Sequence, residues 1–360
     1  MPNSIEIKQF KLSEKRELLF FLKCAYTDNP RQADEKFWDW HFLESPFAEP
    51  DNMPVWVAKD GAKIVGQLAA IPVKLKVGET QKSAIWILDF IVDENYRGKG
   101  IGKNLVGASE EFCPLGLGVN TSEQHAPALL QKLGWKIVGK ISRYNKLLFP
   151  GEALREVSQI KPLRSILNAA FFPFRPKDKF DFSNPNSNVR LVENIDFSFD
   201  ELWLESKMNW SCGVARTSKI LNWQYRRQPG KKFDILGYFQ NEKLLGYAVL
   251  FFRKKNKYGA ISKASLTDIF YHSENSVEIV DELLRGAIRF AAQRRAGTLV
   301  TDVIDSLIQK RLTKFGFRRT KNPLQLMVKS PDNQELLYNP ENWFLTRGDS
   351  DTSIFEHPNL

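Results

Sequence analysis

Residues 86–104 read WILDFIVDENYRGKGIGKN. An apolar run, Trp86 to Val92, gives way to a polar turn with glycines at positions 98, 100 and 102, and a helix-forming stretch follows at once. Gly98, Gly100 and Gly102 let the backbone take conformations, and make approaches, that a side chain forbids. The helix they open turns unsatisfied N–H groups and the positive end of its dipole toward an anion. Arg97 and Lys99 add charge for a second phosphate. Two common nucleotide loops do not fit. A dinucleotide fingerprint needs glycine where Lys103 stands, and a Walker A loop needs glycine at 97 and Ser or Thr at 104, where the chain has Arg97 and Asn104. A glycine-rich turn without a ligand is the competing reading.

The rest of the chain bounds what such a loop could serve. At 360 residues it is long enough for two domains of ordinary size, and 42% hydrophobic with 26% charged residues describes a globular protein. No apolar run reaches the ~20 residues of a membrane span, and MPNSIEIKQF lacks the apolar region of a signal peptide. Cys24, Cys113 and Cys212 have no C-x-x-C spacing, which points to a reducing, cytoplasmic setting. His41, His125, His272 and His357 are too scattered for a metal motif, so no metal is expected. The net charge of +10 is spread along the chain and accompanies no zinc-finger, homeodomain or RNA-recognition signature. It is read as steering of anionic ligands rather than nucleic-acid binding.

A weak repeat runs through the chain at an offset near 180 residues. KFWDWHF at 36–42 answers KILNWQY at 219–225, aligning Trp40 with Trp223. VWVAKDGAKIVGQLAAI at 55–71 answers DILGYFQNEKLLGYAVL at 234–250, aligning Gly66 with Gly246. ILDFIV at 87–92 answers LTDIFY at 266–271, aligning Asp89 with Asp268, and LLQKLGW at 129–135 answers IQKRLTKFGF at 308–317. The chain therefore reads as two copies of one α/β fold with mixed sheets. Helices are expected at 13–27, 34–43, 101–112, 126–134, 199–208, 217–226 and 277–294, the last from the spacing of Ile279, Leu283, Ala287 and Phe290. Strands are expected at 115–120 and over GTLVTDV. The domains are placed at 1–149 and 189–330. They are joined by a Pro/Lys/Phe-rich connector, 150–188, with one short helix near 162–171, and followed by a polar tail, 331–360. A basic, aromatic, membrane-touching segment is the alternative for the connector. The second copy has YHSENSVEI where the first has its glycine loop, so it reads as a half that shapes substrate or structure.

The segment R-x-x-G-x-G, Arg97 to Gly102, after a strand containing Asp89, resembles the acyl-coenzyme A loop of the GNAT acyltransferase superfamily. FWDWHF followed by Ser45-Pro46-Phe47, and the ending NWFLTRGDSD at 342–351, look like tandem GNAT proteins found with bacterial surface-polysaccharide and modified-sugar pathways. The resemblance implies two tandem GNAT-like domains, the second without the pyrophosphate loop, and acetyl-CoA or another acyl-CoA as donor. It implies contacts from the loop amides of Gly98, Lys99, Gly100, Ile101 and Gly102, from Arg97, and from the main chain of Phe90, Ile91 and Val92. Asn120 matches a position that contacts the cofactor arm, with a structural strand-end asparagine as the other reading. The implied reaction is N-acylation of a small polar amine, an amino sugar or nucleotide-sugar among the candidates. The alternative is a binding or scaffold protein that has lost catalysis, because Leu130 stands where the family carries a tyrosine acid. Tyr144 is the substitute acid, against a core aromatic; His125 is a candidate against a solvated loop histidine. Asp89 could accept the amine proton, since by alternation it shares a face with Ile87 and Ile91. Its counterpart Asp268 argues instead for a bond common to both halves. Asp349 and Asp351 could bind the substrate amine, with solvated terminal carboxylates as the rival. Trp38, Trp40, Trp210 and Trp223 could line a pocket, or pack in the core. The oligomeric state is open.

Overall fold

The computed structural model describes residues 5–27, 30–120, 126–154, 160–170, 180–253, 259–321, 323–332 and 334–349. The first copy contains β1 (Glu6–Gln9), α1 (Lys15–Ala25), α2 (Glu35–Phe42), β2 (Val55–Asp60), β3 (Lys63–Val77), β4 (Thr80–Val92), α3 (Ile101–Phe112), β5 (Gly116–Asn120), α4 (Ala126–Lys132) and β6 (Lys136–Leu147). Two connector helices follow, α5 (Pro150–Ala153) and α6 (Lys161–Ala170). The second copy contains β7 (Val189–Val192), α7 (Phe197–Ser206), β8 (Cys212–Val214), α8 (Ser218–Tyr225), β9 (Phe233–Gln240), β10 (Lys243–Phe252), β11 (Ile261–Tyr271), α9 (Ser276–Gln293), β12 (Ala296–Val303), α10 (Ser306–Lys314), β13 (Arg318–Arg319), β14 (Leu324–Lys329) and β15 (Trp343–Phe344). The helices begin where local chemistry says they should. Asp34, Asp196 and Asp305 cap α2, α7 and α10 by accepting from Phe37 N, Ser198 N and Ile308 N.

The aligned glycines of the repeat do the same work in each half. A Cβ on Gly66 would touch Ile101 Cγ2 at 3.4 Å, and one on Gly246 would collide with Ile279 Cγ2 at 2.7 Å. Each glycine thus lets the helix after the fourth strand lie close on the third. Gly134 and Gly316 both end their helices with positive φ, 87° and 77°. The β3–β4 and β10–β11 ladders each slip once, between Gln67 and Ala69 and between Val249 and Leu250.

Among the described residues, fifteen strands form one sheet whose main path runs β1-β2-β3-β4-β5-β14-β6-β12-β11-β10-β9-β7. The two halves exchange strands at its centre. β14, late in the chain, fills the gap between β5 and β6, pairing Leu326 with Val119 on one side and with Gly139 on the other. β6 begins in the first copy beside β14, and its last residues, Ser142 to Leu147, run antiparallel to β12 of the second. Residues 334–349, expected within a polar tail, are instead built into the fold, while 350–360 lie outside the described residues. β15 pairs with β8, β8 pairs with β3, and Trp343, Phe344 and Leu345 are buried.

α3 and α4 cover one face of the first half's sheet, over Trp56, Leu68, Ile85 and Met327. α1 and α2 cover the other, in a core that continues into the second copy through Cys212 and Trp223. The aligned tryptophans meet there. Trp40 and Trp223 stack at 4.8 Å with planes 15° apart, and each indole N–H donates to the other residue's carbonyl at 2.9 Å. Trp38 and Trp40 are core residues, each 1% exposed.

His41 stacks on Trp40, with centroids 5.4 Å apart, and is itself buried. Burial, aided by the Arg31 charge, pushes its pKa down to about 3 from the ordinary 6.5. The folded state needs a neutral imidazole while the unfolded chain takes up a proton near pH 6.5, so stability falls as pH drops below that value and keeps falling to about 3. Urea melts at pH 7 and pH 4.5 are expected to differ by about 3 kcal/mol through this residue. In His41→Phe that part of the difference should vanish; an unchanged difference would remove His41 from the account.

Candidate active site

The glycine loop stands where the sequence places it, between β4 and α3. Asp93 accepts from Asn95 N at 3.0 Å and starts the turn, and Tyr96 Oη donates to Asp60 Oδ2 at 2.8 Å, tying the turn to the β2–β3 hairpin. Gly98 and Gly100 have φ of 79° and 78°, and Gly100 caps α3 without a side chain. Among the described residues, no backbone carbonyl accepts from the amides of Gly98, Lys99, Gly100, Ile101 or Gly102. Arg97 and Lys99 flank them, both exposed. Arg97 Nε donates to Val92 O at 3.2 Å, and Lys99 Nζ sits 4.6 Å from the centre of the Tyr96 ring. Gly102 serves packing: a Cβ there would lie 3.0 Å from Leu129 Cδ2 and 3.2 Å from Phe90 Cζ.

β4 and β5 then part company. They pair in parallel only at Ile85–Gly116 and Trp86–Leu117. Opposite Leu68, β4 carries one residue more than β3, and Asp89 adopts φ 48° there. This bulge overturns the expectation that Asp89 shares a face with Ile87 and Ile91. Ile87 packs with the cluster under α3, as do Phe90 and Val92, while Ile91 packs with the opposite one. The Asp89 carbonyl accepts from Gln67 Nε2 at 3.3 Å. Asn120 ends β5 with Gln325 of β14 as its ladder partner.

Where the two strands diverge lies a cavity of about 60 Å³ between the halves. Ile87, Leu88 and Val119 form its first-copy wall and Val214, Ile220 and Leu221 the facing one, with Trp223 also at its edge. Its polar side is Arg216, Gln224, Asp268 and Asp349. Arg216, in the β8–α8 connection, pairs with Asp349 and has its Nε 3.6 Å from Asp268 Oδ2, while its planar guanidinium packs over Phe344 at 4.6 Å. Asp268 also accepts from Thr346 Oγ1 at 2.7 Å, Tyr247 Oη at 3.1 Å and Tyr225 Oη at 3.3 Å. Thr346 N donates to Asp349 Oδ2 at 2.7 Å. Gly348 is required here, since a Cβ would fall 2.3 Å from Tyr225 Oη.

Burial pushes the Asp349 carboxyl up to about 6; Arg216 opposes the shift and Asp268 adds to it. The solvated-carboxylate reading of Asp349 is therefore corrected, while Asp351 lies outside the described residues. Burial and Asp268 hold the Tyr225 and Tyr247 hydroxyls well above their usual range. Tyr144 is not part of this cavity. It packs in the second half's core with its hydroxyl 3.4 Å from Gln309 Oε1, and burial raises its pKa. His125 lies outside the described residues, and Leu130 is buried beneath α3. Of the four indoles, Trp223 borders the cavity; Trp210 packs on Phe344 at 4.2 Å and donates to Asp305. Arg216, Tyr225, Tyr247 and Thr346 escaped sequence reasoning, since no motif spacing links them. The lone charge in CGVARTS was the available signal.

Gly100→Ala meets open space but must hold φ 78°, so it is expected to cost about 1 kcal/mol. Gly102→Ala must displace Phe90 or Leu129, at about 1–2 kcal/mol. Urea unfolding of the two variants measures both costs, and a neutral Gly102→Ala would contradict the packing.

Residues 17–135 match the model of the Acetyltransferase (GNAT) family. No curated protein matches the chain. Among solved structures it is similar to N-myristoyltransferase of Saccharomyces cerevisiae with bound myristoyl-CoA, at 12% identity and TM-score 0.59, over 91% of this chain and 83% of that one. It is also similar to a probable N-acyltransferase of Enterococcus faecalis, at 13% identity and TM-score 0.60, over 93% and 75%. A GCN5-related N-acetyltransferase of Anabaena variabilis matches at 15% identity and TM-score 0.59, over 90% and 72%. The shared architecture is two GNAT-like domains in tandem with mixed α/β sheets, and with the matched domain it supports an acyltransferase.

Proposed function

We propose that the protein is an acyl-CoA-dependent N-acyltransferase, an acetyltransferase in the simplest case, acting on the amine of a small molecule. The observation that carries this reading is the parting of β4 from β5 beside a loop of amides with no carbonyl partner. A pyrophosphate fits the loop. Gly98 and Gly100 hold positive φ with nothing within 4 Å of an added Cβ, so the backbone is bare toward solvent, and Arg97 and Lys99 stand at its sides. The main chain of Phe90, Ile91 and Val92, past the last β5 partner, is placed to pair with an extended pantetheine arm, and Asn120 closes the other edge. Acyl-CoA, when bound, supplies the acyl group already activated as a thioester.

The acceptor amine is taken in this reading by the cavity between the halves, beside the parting strands. The amine must lose a proton to become a nucleophile, and carboxylates stand at the cavity rather than at Tyr144. Asp89, half-buried on its bulge, serves in this reading to open the strand pair. An amino sugar or nucleotide-sugar remains the acceptor that the sequence resemblance favours, and the walls of the cavity bear on that choice below.

Calorimetry with acetyl-CoA tests the donor site. Arg97→Ala with Lys99→Ala, both exposed and so harmless to folding, should weaken binding roughly tenfold. Unaltered affinity would sink the assignment of the loop. Thiol release over a panel of amines then separates an enzyme from a fold that only binds: the scaffold alternative gives binding without turnover.

A further inference from the structure

We propose that the anionic side of the cavity, contributed by the loop-less second half and the C-terminal segment, is an ammonium site, and that the acceptor presents a primary amine on a short aliphatic stem. The inference rests on the acyl-transfer reading and narrows its substrate. Two carboxylates, Asp268 and Asp349, face one guanidinium, Arg216, so with both ionised this side carries a net negative charge. Charged side chains are otherwise scarce around it. Tyr225 and Tyr247 are neutral donors to Asp268, and the neighbouring Arg347 is paired with Asp302, which Arg143 also binds. A charge of this kind in a low-dielectric site calls for a cation.

One buried donor in the cavity lining, Trp86 Nε1 on a residue 6% exposed, has no acceptor among the described residues, which marks the place as built for a ligand. The indole N–H suits the oxygen of a transferred acyl group.

The remaining wall decides against polar acceptors. Ile87, Leu88, Val119, Val214, Ile220 and Leu221 offer nothing to a hydroxyl, and Gln224, the one uncharged amide side chain of the lining, already donates to Gly348 O. A sugar ring inside would bury several hydroxyls unpaired. A free carboxylate on the acceptor would meet Asp268 and Asp349. The volume of about 60 Å³ admits roughly four to six water-sized groups, an amine with a few carbons.

The experiment compares n-butylamine with 4-aminobutyrate, glucosamine and n-butanol, by calorimetry without donor and by thiol release with acetyl-CoA. Butylamine is expected to bind, and to be acetylated with kcat/KM at least tenfold above glucosamine and 4-aminobutyrate, while butanol competes poorly. Because Asp349 takes a proton near pH 6, butylamine affinity should fall about tenfold from pH 8 to pH 5. Asp349→Asn should weaken binding at pH 8 and abolish that step. Equal use of glucosamine or 4-aminobutyrate, butanol binding as well as butylamine, or an Asp349→Asn protein with unchanged affinity overturns the proposal. The wild-type series decides the selectivity even if the variant fails to fold. If butylamine binds as described and acetyl-CoA does not, the acyl-transfer reading fails and the ammonium site stands.

Discussion

The reciprocal pair of Trp40 and Trp223 fixes the two halves against each other, and the cavity exists because of it. Each indole is stacked on the other and bonded to the other's backbone, so neither helix can shift without breaking a buried hydrogen bond at both ends. The same Trp223 that closes this contact borders the cavity, and α8, which carries it, also carries Ile220, Leu221 and Tyr225. The place of the apolar wall thus follows from one symmetric contact, while the polarity comes from Arg216, Asp268 and Asp349.

The halves have diverged around that contact in complementary ways. The first keeps a bare loop of amides and a fourth strand that parts early from the fifth. The second has Asn275 in a left-handed conformation at the head of α9, with no glycine loop, but holds a carboxylate, Asp268, at the place where the first has Asp89. In the first half the aspartate bends the strand; in the second, its partner is drawn inward by Arg216, Thr346 and two tyrosines. One inherited residue type has taken two jobs because its neighbours differ.

Much of this was legible in the sequence. Ile279, Leu283, Ala287 and Phe290 drew α9 correctly because a long helix with one buried face imposes its own period. The paired glycines and tryptophans were visible because each meets a steric demand that both copies share. Other features were hidden for definite reasons. The bulge at Asp89 leaves no mark on composition yet reverses which face every later residue takes. Arg216 has partners from β11 and the C-terminal turn, far away in the chain, so no local pattern announces it. The segment after residue 330 looked solvated because its polar residues are many, whereas its buried Trp343, Phe344 and Leu345 are few and decisive.

The strand exchange at the sheet's centre also governs how the chain can come to be folded. While the polypeptide is emerging from the ribosome, the first half still lacks β8 beside β3, and the slot between β5 and β6 stays open until residues 324–329 arrive. Those strand edges must wait without pairing with a stranger. Maturation of the first half thereby waits for residues 324–329, and the cavity and its carboxylates form only once Asp268 and Asp349 have joined the first-copy wall.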